Sequence, residues 1–328
     1  MRRTGAVLVS IAVTLLGMPA VAGTAGAVGA AAGCVPTALP VPPEADRGGV
    51  ATAILDLGTY LGWTGDPVQG RIWQNGSGAP LGISPYSVNS AGLAVGSTSS
   101  GARRAVRLQL GGTPEYGTYD SSMAEVNANG DAVGTLLTVS FPRRNALWWR
   151  PGDAQPTNLP GPSYTGAWAI DDLGYKVGYG ETSQGERREL IWGPDGQIVR
   201  QFGPYTAGDT KIYPRDIDDG VALATRQQPN GAKDLVLVDV VTGSVSPLAG
   251  TSGLDAELIR DGWVVGTKDI VTPVLWHNGV RQNLPALPGT SPRAVSDLKV
   301  FGSTAVLAGF SYPESSGWFQ TPTVWKCS

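Results

Sequence analysis

The chain is poor in the residues that build most metal and nucleophile sites. It holds one histidine, two cysteines and three methionines in 328 residues. A single histidine cannot supply a multi-histidine metal site. His277 lies in Trp276-His277-Asn278-Gly279, where it reads as an exposed turn residue rather than a general base. Charge is sparse as well, at 16%, and carries no basic excess. With Arg2 and Arg3 set aside as part of a leader, 22 basic residues face 27 acidic ones, a net charge near −5, which argues against a nucleic-acid binder. Long apolar runs are missing. The longest, Ala6 to Leu16, is shorter than the roughly 20 residues that cross a bilayer. Helical periodicity is absent throughout.

What is present begins with MRRTGAVLVSIAVTLLGMPAVA, two arginines, an apolar run and small residues at Ala20 and Ala22. This is the pattern of a secretory signal peptide over residues 1–22, followed by a low-complexity stretch over 23–33. Thr4 and Gly5 do not extend a twin-arginine signal, so ordinary secretion is expected. Ala31-Ala32-Gly33-Cys34 resembles the box before a lipidated cysteine, which makes a lipid anchor at Cys34 the alternative, but it would leave Cys327 without a partner. Two cysteines near the chain ends in an oxidising compartment favour a Cys34–Cys327 disulfide.

Glycine (46) and proline (25) are abundant, and an internal repeat organises them. ILDLGTYLGW (54–63), VNSAGLAVGS (88–97), VNANGDAVGT (126–135), AIDDLGYKVG (169–178), DIDDGVALAT (216–225) and LIRDGWVVGT (258–267) are versions of one hairpin, and KVFGSTAVLAGF (299–310) is a degenerate seventh. Asn129, Asp172, Asp219 and Asp261 precede the turn glycines, where short polar side chains tolerate left-handed backbone. A second apolar burst follows each hairpin, marked by Trp73, Trp149, Trp192, Trp276 and Trp325, with Leu108 and Val238 in the equivalent places of units two and five. From Trp73 to Trp325, in six steps, the mean period is 42 residues. Four short strands fit that length, as a propeller blade requires.

Leu39-Pro40 in the first segment matches Leu284-Pro285 late in the sixth unit. The chain therefore begins with a fourth strand and ends, at TVWKCS, with a third. The expected fold is all-β, a single seven-bladed β-propeller over 34–328 whose last blade is completed by both termini. The short first unit and irregular seventh leave six or eight blades open.

The hairpins paired with alanine-rich strands, VNANGDAVG with NALWWRPG and VNSAGLAVG with RRAVRLQLGG, resemble those of the extracellular HAF-repeat proteins over residues 35 to 327. Where that family carries His-Ala-Phe, this chain has Arg104-Ala105-Val106, Asn145-Ala146-Leu147 and Arg188-Glu189-Leu190. The resemblance implies a secreted propeller-like domain with no established reaction.

The repeated carboxylates Asp171, Asp172, Asp218 and Asp219 read as turn formers rather than a calcium or acid–base set, because a turn is needed in every blade. The stronger signal is basic and aromatic. Links between second and third strands share one face with links between blades. The first carry Arg103, Arg104, Arg143, Arg144, Arg187, Arg188, Arg226 and Lys233, and the second Tyr116, Tyr119, Asp120, Tyr164, Tyr205, Asp209 and Tyr213. From these, Arg104, Arg144, Arg188, Tyr116, Tyr164, Tyr205 and Asp209 form the candidate binding set, suited to a polysaccharide or an extracellular protein partner. The competing explanation is polar strand starts repeated because blades repeat. The repeated tryptophans read as core, with Trp63 and Trp318, near loops, as candidate sugar platforms. The function expected is that of a monomeric, non-catalytic binding or scaffold propeller without a cofactor. The alternative is a glycan-active hydrolase or lyase on the same scaffold, although the Ser-x-Asp-x-Gly-x-x-Trp boxes of sialidase blades are missing.

Overall fold

The computed structural model describes residues 33–66, 68–137, 144–269, 271–314 and 319–328. The expected leader over 1–22, residues 23–32, Arg143 and Trp318 lie outside them. Among the described residues no helix is long and apolar enough to cross a membrane.

The repeats fold into seven antiparallel four-stranded sheets, each a blade with an innermost, second, third and outer strand. The innermost strands of blades 1 to 7 are Gly49–Ile54, Ser84–Val88, Ser121–Val126, Tyr164–Ile170, Lys211–Asp218, Leu254–Arg260 and Thr290–Phe301. Seven buried hydrophobic clusters fill the seven spaces between neighbouring blades, including the one between blades 7 and 1, so the ring is closed. This is a seven-bladed β-propeller, as the repeat predicts.

The third-strand tryptophans are core residues. Trp73, Trp149, Trp192 and Trp325 are fully buried. Trp73, Trp192 and Trp325 donate their indole N–H to the carbonyls of Pro40, Pro160 and Pro285 at 2.7–2.8 Å, and Trp276 donates to Ala249 at 2.9 Å. Each acceptor lies just after the outer strand of the preceding blade, so one side chain fills the space between sheets and ties them together. Leu108 and Val238 occupy the same register, facing Ala94 and Ala222 on the second strands, as Trp149 faces Ala132.

Every innermost strand carries a β-bulge, at Thr52, Tyr86, Ala124, Trp168, Arg215, Glu257 and Ser296. In five blades the innermost strand passes so close to the second strand that glycine recurs there, while blade 5 has Ala224 at the same register. A Cβ at Gly134 would stand 2.0 Å from the carbonyl oxygen of Ser122, and Gly62, Gly96, Gly178 and Gly309 meet their own innermost strands at the same distance. Glycine at these places is a packing requirement.

Blade 7 is assembled from both ends of the chain. Its outer strand, Cys34–Ala38, pairs antiparallel with its third strand, Thr321–Cys327, and the register sets Cys34 opposite Cys327. The two cysteines are disulfide-bonded across a sequence separation of 293 residues. In the chain-entropy model a loop of that size is stabilised by about 5 kcal/mol.

Two expected outcomes follow from this packing. Gly134→Ala should lower the unfolding free energy by about 1–3 kcal/mol, read as a shift of the urea midpoint, because the Ser122 carbonyl has to move. Non-reducing peptide mapping should recover Cys34 linked to Cys327, and a Cys34→Ser/Cys327→Ser double variant should melt at a lower temperature.

Candidate functional site

The bulges decide what faces the axis of the ring. Six of the seven bulge residues, Tyr86, Ala124, Trp168, Arg215, Glu257 and Ser296, line a cavity of about 360 Å³ at one mouth of the central channel. This mouth lies on the face of the blade-to-blade links, where the innermost strands begin. At the opposite mouth a second cavity, of about 390 Å³, is lined by the hairpin turns, Asn89, Asn127, Asp171, Asp172, Asp218, Asp219 and Asp261 among them. Both cavities share Ser87, Glu125, Arg260 and Asp297, so these residues divide the channel between them.

The dividing residues are held by the backbone of neighbouring blades. Glu125 accepts from Ile170 N at 2.9 Å, Asp216 from Ile259 N at 2.8 Å and Asp297 from Ile54 N at 2.7 Å, in each case the innermost strand of the next blade. Arg260, from blade 6, bonds Asp216 at 2.8 Å and reaches across the channel to pair with Glu125 of blade 3. One guanidinium thus serves several carboxylates in a buried place. Burial pushes Glu125 up to about 8, against the pull of Arg260 and with the help of Asp216 and Asp297. Asp297 is raised by burial as well.

The hairpin turns use related chemistry. Asn89 donates to Asn127 O at 3.0 Å and Asn127 to Asp171 O at 2.9 Å. Asp171 then accepts from Gly220 N at 2.7 Å, and Asp218 from Asp261 N at the same distance. The repeated Asn and Asp are therefore turn formers that also stitch blades 2 to 6 together in series. Burial raises the carboxyls of Asp171 and Asp218.

At the mouth on the link side, cationic and aromatic groups alternate across blades 3 to 6. Arg144 donates to the Tyr179 hydroxyl at 3.2 Å, and Tyr179 stacks on Trp168 at 5.4 Å between centroids. Arg215 lies over Trp168 and approaches Glu257 at 3.6 Å, while Thr267 donates to Glu257 at 2.7 Å. Among the described residues the buried Trp168 indole N–H has no hydrogen-bond partner. About half of the Arg215 side chain is exposed, so its guanidinium remains open to a ligand. The arrangement offers two donors, a carboxylate and flat ring edges within one cavity.

The binding set read from the sequence is spread around the ring. Arg104 lies over Tyr116 and Tyr119 within blade 2 and donates to Gly117 O, on the outer side of the blade. Arg188 pairs loosely with Glu186 at 3.6 Å. Tyr164 begins the innermost strand of blade 4, opposite Glu181. The Tyr205 hydroxyl donates to Ile212 O and accepts from Ile212 N, and burial pushes it up to about 12, which keeps it a neutral phenol. Asp209 caps its own turn by accepting from Thr206 N and Oγ1, and these bonds lower its carboxyl. Arg104 and Tyr116 touch each other, and Arg144 joins the strip at the mouth. His277 stacks on Trp263 at 3.8 Å. Tyr86, Trp168, Arg215 and Glu257 are the residues that sequence reasoning missed. Their signal was a single repeat column, three residues before the first turn residue (Asn89, Asp171, Asp218 and Arg260), whose identity differs from blade to blade.

The channel carboxylates make stability depend on pH. Glu125 releases its proton near the usual 4.5 in the unfolded chain and near 8 in the fold, so the unfolded chain ionises first as pH rises. The stability this group contributes is full below pH 4.5 and lost by pH 8, and Asp171, Asp218 and Asp297 act in the same direction. Melting temperature should fall across that window, and Glu125→Gln should flatten the profile.

No protein-family model and no curated protein matches this chain. Solved structures match it in shape. The WD40 β-propeller domain of Doa1 aligns with a TM-score of 0.55 at 14% identity, over 89% of this chain and 97% of that one. A puromycin hydrolase mutant aligns with a TM-score of 0.53 at 14% identity, over 87% of this chain and 55% of that one. A structure from a study of two prolyl endopeptidases aligns with a TM-score of 0.50 at 11% identity, over 87% and 48%. At these identities the likeness is one of fold, and this chain shares the β-propeller scaffold with WD40 proteins and with the propeller-bearing part of some peptidases.

Proposed function

We propose that this chain is a secreted, non-catalytic binding propeller that holds a glycan or a protein segment at the link-side mouth of its channel. The observation that carries the reading is the set of bulge side chains, Tyr86, Trp168, Arg215 and Glu257, brought from four blades into one cavity. A concave site with aromatic walls and a few convergent polar groups is the usual form of a binding site. Arg215 supplies a half-exposed cationic donor, Trp168 and Tyr86 supply flat rings, and Glu257 supplies an acceptor. The carboxylates below them are engaged by backbone amides and Arg260, which suits a fixed floor better than proton transfer. Export is supported by the leader-like first 22 residues and by a disulfide that joins the two ends of the domain. The HAF-repeat resemblance belongs to the same proposal.

The test is a screen of the secreted protein against a glycan array and against extracellular protein extracts. For any ligand found, Arg215→Ala and Trp168→Ala should each weaken binding about tenfold or more, while Arg104→Ala leaves it unchanged. Equal affinity in all three variants would remove the mouth as the site.

A further inference from the structure

The cavity farthest from the repeat pattern lies at the seam where blade 7 meets blade 1. It measures about 510 Å³, and its lining includes Arg47, Trp63, Asp66, Tyr312 and Gln320. That volume is within the range of small-ligand sites. We infer that this cleft is a subsite for one uncharged pyranose ring of a polysaccharide, separate from the channel mouth and independent of what binds there.

Trp63 stands in a repeat column that is otherwise small or aromatic. Its register on the second strand is held by Ser97, Thr135, Thr225 and Thr267 in blades 2, 3, 5 and 6, and by the aromatic residues Tyr179 and Phe310 in blades 4 and 7. Two of these hydroxyls serve the structure: Thr225 accepts from Ala256 N at 2.8 Å, and Thr267 donates to Glu257. Blade 1 replaces the small hydroxyl with a half-buried indole that borders a cavity. Of the three aromatic residues in this column, Tyr179 stacks on Trp168 and Phe310 packs against Tyr312, whereas Trp63 faces the seam cavity.

The chemistry of the lining selects the ligand. Trp63 and Tyr312 offer flat apolar faces, which suit the C–H face of a sugar ring. Tyr312 is braced on one side by Phe310, edge to face at 5.3 Å between centroids, and on another by the Arg293 guanidinium. Arg47 and Asp66 form an exposed ion pair at 3.1 Å, which supplies donors and acceptors with no net charge. The Gln320 amide adds one more of each, with Nε2 3.4 Å from the Tyr312 hydroxyl. A purely apolar ligand would leave these polar groups unmatched, and an anionic one would face Asp66. A ring bearing hydroxyls on an apolar frame satisfies both sides.

The site is also held in shape. Gln320 N donates to Arg47 O at 3.0 Å, and Gly49 N donates to Gln320 O at 2.7 Å. These bonds form a parallel bridge between Gly48 and Gln320. A Cβ on Gly48 would lie 1.9 Å from the Gln320 carbonyl oxygen, so the close approach needs glycine there. Arg47 and Gln320 are thereby fixed on either side of the seam before any ligand arrives.

The experiment is affinity electrophoresis of the full secreted protein in gels containing β-glucan, xylan or mannan, with calorimetric titration of the matching oligosaccharides. At least one of these polymers should retard the wild type. Trp63→Ala and Asp66→Ala should each raise Kd about tenfold or more, and Arg104→Ala, on the outer side of blade 2, should not. Asp66 is half exposed, so its variant should melt within about 3 °C of the wild type and keeps the test valid should Trp63→Ala fold poorly. No retardation by any uncharged polymer, or wild-type affinity in both seam variants, would overturn the inference. Loss of sugar binding in Trp168→Ala with retention in Trp63→Ala would also overturn it and leave the channel mouth as the sugar site.

Discussion

Pairing of the first described strand with the last is the contact on which the remainder of the ring depends. Cys34–Ala38 adds the outer strand to a blade whose other three strands come from the far end of the sequence. An array of blades joined only by sequence neighbours would leave two sheet faces open between its first and last members, each with its apolar side chains in water. Here that space is filled by Leu39, Ala51, Ile54, Trp73, Val306 and Val324, among others. The disulfide then holds the two ends together in the unfolded chain as well, which favours the closed ring.

Closure also fixes the channel. Glu125 and Arg260 are 135 residues apart and come from blades on opposite sides of the axis. They meet because the circumference is set at seven blades, which brings opposing innermost strands within side-chain reach. Burying these charges together is costly in itself, and the structure offsets the cost by giving the carboxylates backbone amides from the next blade. The network therefore acts less as a source of stability than as a specification of register between neighbours. One consequence is a floor that separates a polar, mixed-charge mouth on the link side from an acidic mouth on the turn side.

Bulges and turns divide the work within each blade. The turn Asn and Asp join the consecutive blades 2 to 6, and in five blades a second-strand glycine repeats because a Cβ there would meet the carbonyl of the innermost strand. Bulge side chains are released from both demands. All but Thr52 line the channel mouth, and their identities differ from blade to blade: Tyr86, Ala124, Trp168, Arg215, Glu257 and Ser296. Variation inside a repeat that is otherwise constrained is where a propeller can acquire a ligand, and Trp63 is a second instance at the seam.

The sequence by itself determined the architecture. Hairpin glycines, alternating apolar strands and tryptophans at a period of 42 residues are local chemistry, written seven times, and the match of Leu39-Pro40 to Leu284-Pro285 was enough to show where the ring closes. It also identified the core tryptophans and the disulfide. It did not determine the site. Pooling the link arginines and tyrosines placed Arg144 at the mouth, but it grouped residues such as Arg104 and Asp209 that serve their own blades and turns. Side chains separated by one or more repeats converge only after the blades are arranged around an axis. Which of them face that axis depends on the one-residue offset introduced by each bulge, and that offset is a property of strand pairing in three dimensions.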